Sequence, residues 1–132
     1  MDAFIKQDVS LHEYTIHQLV YDMNIVNVPR IISYDNDKQI LITQRLGNCS
    51  YDGVTIDRDI FDDIRDIIRT LYDHNIEYPE ITGRNFMEYE NKLWVVNFEH
   101  ARQQQDTGLD DLFVKRFISR SLYQWNPKYS KG

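Results

Sequence analysis

The sequence predicts one small α+β domain, in which short antiparallel strands pack against amphipathic helices. Three observations favour this fold class: a length suited to a single core, two stretches of helical periodicity, and pairs of apolar runs separated by polar turns. The chain has 132 residues, of which 42% are hydrophobic and 13% aromatic. That much apolar surface is enough to offset the entropy lost on folding.

The first strand and the first helix are predicted near the N-terminus. Phe4, Ile5 and Lys6 are expected to form the end of a short strand. Ser10 and Glu13 then have the spacing of a capping box, in which the Ser10 hydroxyl covers the Glu13 amide and the Glu13 side chain reaches back to Ser10. The apolar stripe of the helix that follows consists of Ile16, Leu19, Val20 and Met23.

Two hairpins are predicted from apolar runs that flank short polar turns. The first turn is Asp35-Asn36-Asp37 and the second is Glu90-Asn91. The four strands are expected at 31–34, 39–43, 86–88 and 93–98.

A long helix connects the two hairpins, and a last helix follows the second. Thr55 or Asp57 is the predicted N-cap of the long helix, which ends near Asn75 and has a clean apolar stripe at helical spacing. The last helix is expected at 114–125. Between the first hairpin and the long helix, the Gly- and Asn-containing segment 47–54 predicts a linker.

Composition and charge exclude several function classes. There are 15 Lys and Arg residues against 21 Asp and Glu, for a formal charge of −6, so we expect neither nucleic acid nor a membrane as partner. The single cysteine, Cys49, forms no internal disulfide, which favours the cytoplasm. We expect no secretion signal after Met1. None of the four His residues has metal-ligand spacing, so we expect ordinary structural or exposed roles for them.

Residue usage gives a hint about the source of the protein. Ala occurs only at Ala3 and Ala101, whereas Ile, Asn, Asp and Tyr are abundant. This usage is typical of an AT-rich genome and is compatible with a virus, in which case the protein would act in the host cytoplasm.

The most informative stretch of the sequence runs from Tyr78 to Glu99. Tyr78, Glu80 and Asn85 have the spacing of a loop written H-x-D-L-x-x-x-N, and Asn97-Phe98-Glu99 follows a hairpin at the place of D-F-G. This pattern resembles the catalytic core of the protein-kinase superfamily. The resemblance implies that Glu80 lies at the catalytic-base position and that Asn85 and Asn97 lie at the metal-ligand positions.

The resemblance extends upstream and covers the chain from about Ala3 to Ala101. It implies that Lys6 ends the strand whose lysine grips the nucleotide phosphates and that Glu13 pairs with this lysine. ATP is therefore the candidate cofactor. The short separation of Lys6 and Glu13 is similar to that of compact atypical kinases, such as the RIO type. The single domain 1–132 would then comprise a reduced N-lobe (1–46), a hinge (47–54) and a reduced C-lobe (55–132).

Departures from the kinase pattern weaken the expected chemistry. A Gly-rich strand pair over the phosphates has no room before Lys6, and the substrate-binding helices of a full C-lobe do not fit after Ala101. Asn97 is an amide where an Asp is expected, so we expect weak Mg²⁺ binding. Glu80 is one methylene longer than Asp, a displacement of about 1 Å that can cost about 100-fold in rate. Tyr78 replaces a His that braces this loop in the family.

Each site residue also has an ordinary structural interpretation. Glu13 can be the capping-box partner of Ser10, with or without an ion pair to Lys6. Lys6 can be a solvated residue at a strand end, and Glu80 an ordinary loop carboxylate. The two amides can satisfy turn and backbone hydrogen bonds, which is the usual role of buried Asn side chains.

Three functions remain open on this sequence. The leading hypothesis is a catalytically impaired pseudokinase, an intracellular binding or regulatory module that binds a protein partner or forms a homodimer. The first alternative is an active minimal ATP-dependent phosphotransferase, completed by a partner or a dimer. In that case Glu80 accepts the substrate proton, and Asn85, Asn97 and Glu99 share the metal. The second alternative is a structural interaction domain without a ligand.

Overall fold

The computed structural model describes residues 3–47 and 58–103. Within them the chain forms short antiparallel strands and two α-helices, which confirms the predicted α+β class. In chain order the elements are β1 (Ala3–Lys6), α1 (Leu11–Met23), β2 (Ile31–Asp35), β3 (Ile40–Gln44), α2 (Arg58–Asp73), β4 (Ile76–Glu77), a 3-10 turn (Gly83–Asn85), β5 (Phe86–Tyr89), β6 (Lys92–Val95) and β7 (Arg102–Gln103). The predicted linker beyond Gly47, the start of the long helix before Arg58 and the last helix 114–125 lie outside the described residues.

The first sheet has the strand order β1-β3-β2, and both pairings are antiparallel. Its predicted hairpin is confirmed. The Asp35 carboxylate closes the turn by accepting hydrogen bonds from the backbone amides of Asp37 and Lys38, at 3.0 and 3.1 Å. The second strand begins at Ile40 and not at Gln39, because Gln39 has a φ of 55°. A left-handed residue cannot continue the pleat of a strand.

Helix α1 begins at the predicted cap. The Ser10 hydroxyl accepts a hydrogen bond from the Glu13 amide at 3.1 Å, and Asn24, with a φ of 55°, ends the helix. Only this half of the capping box forms, because the Glu13 carboxylate binds Lys6 at 2.5 Å. Ile16 and Val20, on the predicted apolar stripe, are buried.

Helix α2 supplies the centre of the core. Ile64, Ile68 and Leu71 are completely buried, as their spacing predicted. The helix ends where Asn75 adopts a φ of 64°, a conformation that Asn tolerates better than most residues. Among the residues that the structure describes, neither helix combines the length and the apolar composition needed to cross a bilayer.

The second hairpin, β5-β6, turns at Glu90 and Asn91, which have φ values of 53° and 60°. Two successive left-handed residues make the turn that matches the twist of antiparallel strands. The predicted second strand is too long, because β6 ends at Val95 and does not reach Phe98. The Val96 amide bonds instead to the Asn85 carbonyl at 2.9 Å, and Asn97 has a φ of 66°.

One hydrophobic cluster joins the first and second halves of the described chain. Ile16, Val20 and Val28 pack in the same cluster as the buried face of α2 and the second hairpin. A polar contact also joins the two halves: His12 Nε2 lies 2.7 Å from the Ala101 carbonyl oxygen. The first sheet with α1 is therefore held against the second half through α1 and the segment that follows it.

Substitution of Ile68 by Ala should lower the free energy of unfolding by about 2–5 kcal/mol, because it opens a cavity in this cluster. Ile5→Ala removes the same atoms from a side chain that is 59% exposed and should change stability by less than about 0.5 kcal/mol. Urea unfolding of both variants measures the difference. Equal effects would contradict the packing of α2.

His17 makes the stability pH-dependent. Its ring is buried, and Nε2 donates to the Pro29 carbonyl at 2.8 Å. Burial lowers the pKa of His17 below 6.5, the nearby Lys6 charge lowers it further, and the hydrogen bond to Pro29 partly opposes both. The unfolded chain therefore takes up this proton at a higher pH than the folded chain, and the stability due to the neutral ring is lost below about pH 6.5.

His17→Gln removes this proton while keeping an amide donor for the Pro29 carbonyl. Between pH 7.5 and 5.5, by urea unfolding at each pH, the free energy of unfolding should fall more steeply for the wild type than for this variant. Parallel pH profiles would contradict a buried neutral imidazole at this position.

Candidate functional site

A cleft of about 540 Å³ lies between the first sheet and the segment that leads into the second hairpin. β1 contributes Lys6 to its wall, and β5 contributes Met87. Residues 44–47, which leave β3, line the cleft as well. The volume lies within the range of about 300–1,000 Å³ that small-molecule sites occupy.

Lys6 and Glu13 form an ion pair at one end of the cleft. Lys6 Nζ donates to Glu13 Oε2 at 2.5 Å, and the Glu13 side chain is only 3% exposed. The pair forms because β1 ends at Lys6 and the Ser10 cap starts α1 three residues before Glu13. The ion-pair interpretation of Glu13 and the Ser10 cap are both confirmed as geometry, whereas nucleotide binding by the pair stays a prediction.

The side chain of Asn97 connects the other predicted site residues. Its Oδ1 accepts a hydrogen bond from Lys6 Nζ at 3.2 Å. Its Nδ2 donates to Glu80 Oε2 at 3.3 Å and to Asn85 Oδ1 at 3.2 Å. Lys6, Glu80, Asn85 and Asn97 therefore meet in one place, although up to 91 positions separate them in the sequence.

The backbone at Asn97 explains how this side chain reaches its partners. A φ of 66° turns the chain sharply after β6, and Asn is one of the few residues with a side chain that adopts this conformation readily. The Glu99 amide also donates to Asn97 Oδ1, at 3.4 Å. Such a side-chain bond to the amide two residues on is the usual way in which Asn stabilises a turn. The structural interpretation of Asn97 is therefore correct, and the site contacts exist beside it.

Asn85 is buried and holds the loop that carries Glu80. Its Nδ2 donates to the Glu80 carbonyl at 2.8 Å, and its backbone amide donates to the Thr82 carbonyl at 3.0 Å. Glu80 lies on the loop that follows Tyr78, and its carboxylate accepts a hydrogen bond from the Asn97 side chain. Asn85 and Asn97 line the cleft, whereas Glu80 is not among the described residues of its wall.

Tyr78 braces the loop that carries Glu80, and the expectation that replacing the His weakens the chemistry stays a prediction. The hydroxyl donates to the Val96 carbonyl at 2.6 Å, next to Asn97. The ring packs edge-on against Phe98 and Phe86, with centroid distances of 5.6 and 6.3 Å. Burial raises the pKa of Tyr78 well above 10, and the Glu80 and Glu13 charges add to the effect. The phenol is therefore neutral and acts as a hydrogen-bond donor.

Sequence reasoning missed the position of His100. Its Nε2 lies 3.2 Å from Glu80 Oε1 and 3.8 Å from Glu99 Oε2. Glu80 thus contacts Asn97 through one carboxylate oxygen and His100 through the other. The only sequence signal was that His100 follows directly after Asn97-Phe98-Glu99, and a lone His in a turn has too many ordinary roles for that signal to decide.

The hydrogen bonds at Asn97 do not favour Mg²⁺. A hard cation needs several oxygen ligands, preferably anionic ones, but the Asn97 amide nitrogen points at Glu80 Oε2 and Asn85 Oδ1. Two of the oxygens that could hold the metal are therefore already accepting hydrogen bonds from a donor. Within residues 3–47 and 58–103, no group of three or more His, Cys, Asp or Glu side chains could hold a metal ion. Metal binding by Asn85 and Asn97 stays a prediction.

Comparison with known proteins supports the fold. No family model matches the chain, and no curated protein matches it. Among solved structures, the chain is similar to the Rio2 kinase of Chaetomium thermophilum, in a complex with ADP, Mg²⁺ and phosphoaspartate. The two share 12% sequence identity and a TM-score of 0.63, over 88% of this chain and 36% of the Rio2 chain. The chain therefore spans little more than a third of that kinase's length, and the likeness shows that its fold is kinase-like.

Proposed function

We propose that the chain is a pseudokinase module that holds a nucleotide in its cleft without magnesium-dependent phosphoryl transfer. The kinase-like fold supports the nucleotide, because the similar Rio2 structure contains ADP and Mg²⁺. The cleft has room for such a ligand, at about 540 Å³. Its apolar wall, which includes Leu41, Leu46 and Met87, suits a flat aromatic base, and Lys6 suits a phosphate group.

The observation that carries the loss of transfer is the hydrogen-bonding pattern of Asn97. Its nitrogen donates to two acceptors, on Glu80 and on Asn85, while its oxygen accepts from Lys6. An Asp in this position would bring a second carboxylate against Glu80, and like charges at that distance repel. The site is therefore complementary to an amide, and it is stable without a metal.

The module would act through what it binds. We place it in the cytoplasm of a cell or, if it is viral, of the host, with a protein partner or a second copy of the chain as its target. Such an association would cover exposed apolar side chains of the first sheet such as Ile5 and Ile32, which are 59% and 42% exposed.

An active phosphotransferase is the second candidate, and a specific observation favours it. The Lys6–Glu13 pair is intact, and both oxygens of the Glu80 carboxylate are held by neighbours, at 3.3 Å by Asn97 and at 3.2 Å by His100. A fixed carboxylate is what a base that accepts a hydroxyl proton requires. If this candidate is correct, the wild-type chain transfers phosphate to a substrate and Glu80→Gln abolishes the transfer. That result would exclude the pseudokinase.

Thermal unfolding with ATP tests the proposal. ATP should raise the melting temperature of the wild-type chain with EDTA present, because a ligand that binds only the folded state stabilises it. Addition of Mg²⁺ should give no further rise. A rise that requires Mg²⁺ would favour the active kinase, and no rise under either condition would favour the structural domain.

Asn97→Asp tests whether the amide is what excludes the metal. Without ligand the variant should be less stable than the wild type by about 1–3 kcal/mol, because Glu80 and Asn85 lose a partly buried donor. With ATP and Mg²⁺ together it should show a metal-dependent rise in melting temperature that the wild type lacks. Asn91→Asp makes the same change of charge at an exposed turn. It should neither lower the stability to this extent nor produce a metal-dependent rise in melting temperature. Absence of a metal-dependent gain would mean that more than the Asn97 amide excludes Mg²⁺.

A further inference from the structure

The described lining of the cleft is more positive than the protein that contains it. The whole chain has a formal charge of −6, yet among the residues that the structure describes the charged side chains lining the cleft are Lys6, Arg45 and Arg84 against the carboxylate of Glu13. His17 also lines the cleft, and burial lowers its pKa, so its ring adds no charge at neutral pH. A local excess of positive charge in an acidic protein favours an anionic ligand at this place.

Only two of these cations are free to meet a ligand with their full charge. Lys6 is neutralised by Glu13 at 2.5 Å. Arg45 and Arg84 are exposed, and no hydrogen bond or ion pair among the described parts of the chain involves either side chain. Two unpaired guanidinium groups therefore border a cleft that is otherwise largely apolar.

The two arginines are connected to Lys6 through different parts of the chain. Arg84 directly precedes Asn85, which contacts Asn97, which in turn contacts Lys6. Arg45 follows β3, where Leu41 is the partner of Lys6 in the register. Four residues of extended chain span about 13 Å, so Arg45 lies well away from Lys6. Arg84 is therefore the free cation that adjoins the contacts of Asn85 with Asn97 and of Asn97 with Lys6.

We propose that Arg84 replaces the metal ion as the counter-charge of the phosphate chain. The ligand is then a metal-free nucleoside di- or triphosphate, whose phosphates contact Arg84 and Lys6; this identification rests on the proposed function. A guanidinium group matches two phosphate oxygens at once and needs no anionic protein ligands to hold it. It therefore supplies positive charge where the Asn97 and Asn85 amides are poor at holding Mg²⁺.

Magnesium should oppose this binding. Mg²⁺ neutralises part of the charge of the phosphate chain and occupies its oxygens, so a site that presents a guanidinium gains less from the complex than from the free anion. ADP should accordingly bind the wild-type chain more tightly in EDTA than in excess MgCl₂.

Isothermal titration calorimetry with ADP and with inorganic tripolyphosphate, both in EDTA, tests the role of Arg84. Arg84→Gln should weaken both ligands by about 10- to 100-fold, the usual effect of losing a charge-assisted hydrogen bond. The variant should fold normally, because the Arg84 side chain is exposed. Arg45→Gln lowers the charge of the same cleft at the residue that follows β3 and should weaken tripolyphosphate far less. Lys38→Gln, in the exposed turn of the first hairpin, should leave both affinities at the wild-type value.

The outcomes separate this inference from the proposed function. If ADP binds in EDTA and Arg84→Gln binds it as the wild type does, the role of Arg84 is wrong and the nucleotide-binding function stands. If ADP binds only with Mg²⁺, both the role of Arg84 and the metal-free site are wrong. If tripolyphosphate binds in an Arg84-dependent way but ADP does not, the anion site stands and the nucleotide function fails.

Discussion

The side-chain amide of Asn97 is the interaction on which the arrangement of the site depends. It is the one group in the described chain that contacts both the Lys6 end of the first sheet and the Glu80 loop of the second half. An amide can do this because it offers an acceptor and a donor at once. A carboxylate in its place would attract Lys6 and repel Glu80, and would need a cation to reconcile the two. The amide links the site without a metal.

The core decides that these groups can meet at all. α1 packs its apolar side into the cluster centred on α2. Glu13 on the same helix binds Lys6, and Lys6 contacts Asn97 after the second hairpin. Tyr78 then links the Glu80 loop to the residue before Asn97 through its bond to the Val96 carbonyl. The Tyr78 phenol stays neutral at physiological pH, because burial raises the pKa of Tyr78, and it can therefore act as the donor of this bond.

The local elements were predictable because each depends on nearby residues. The Ser10 cap, the apolar stripe of α2 and the Glu90-Asn91 turn form as their spacing indicates. The end of β6 was not predictable, since the apolar run continues through Val96 while the hydrogen bond of its amide goes to Asn85. Periodicity indicates which side chains of a segment can be buried. It does not indicate which distant carbonyl will accept hydrogen bonds from the backbone amides of the segment. The position of His100 beside Glu80 was missed for the same reason.

The amino-acid sequence alone determined the identities on which the chemistry depends: an amide at Asn97, a carboxylate at Glu80, and a lysine and a glutamate at Lys6 and Glu13. It also determined the order of α1, α2 and the two hairpins, because capping, turn formation and apolar periodicity act within a few residues, whereas the short β4–β7 pair was not predicted. Only the tertiary structure decided which of these groups form hydrogen bonds and ion pairs with one another. Hydrogen bonds between residues up to 91 positions apart depend on how the core packs, and that packing brings the Asn97 amide between Lys6 and Glu80.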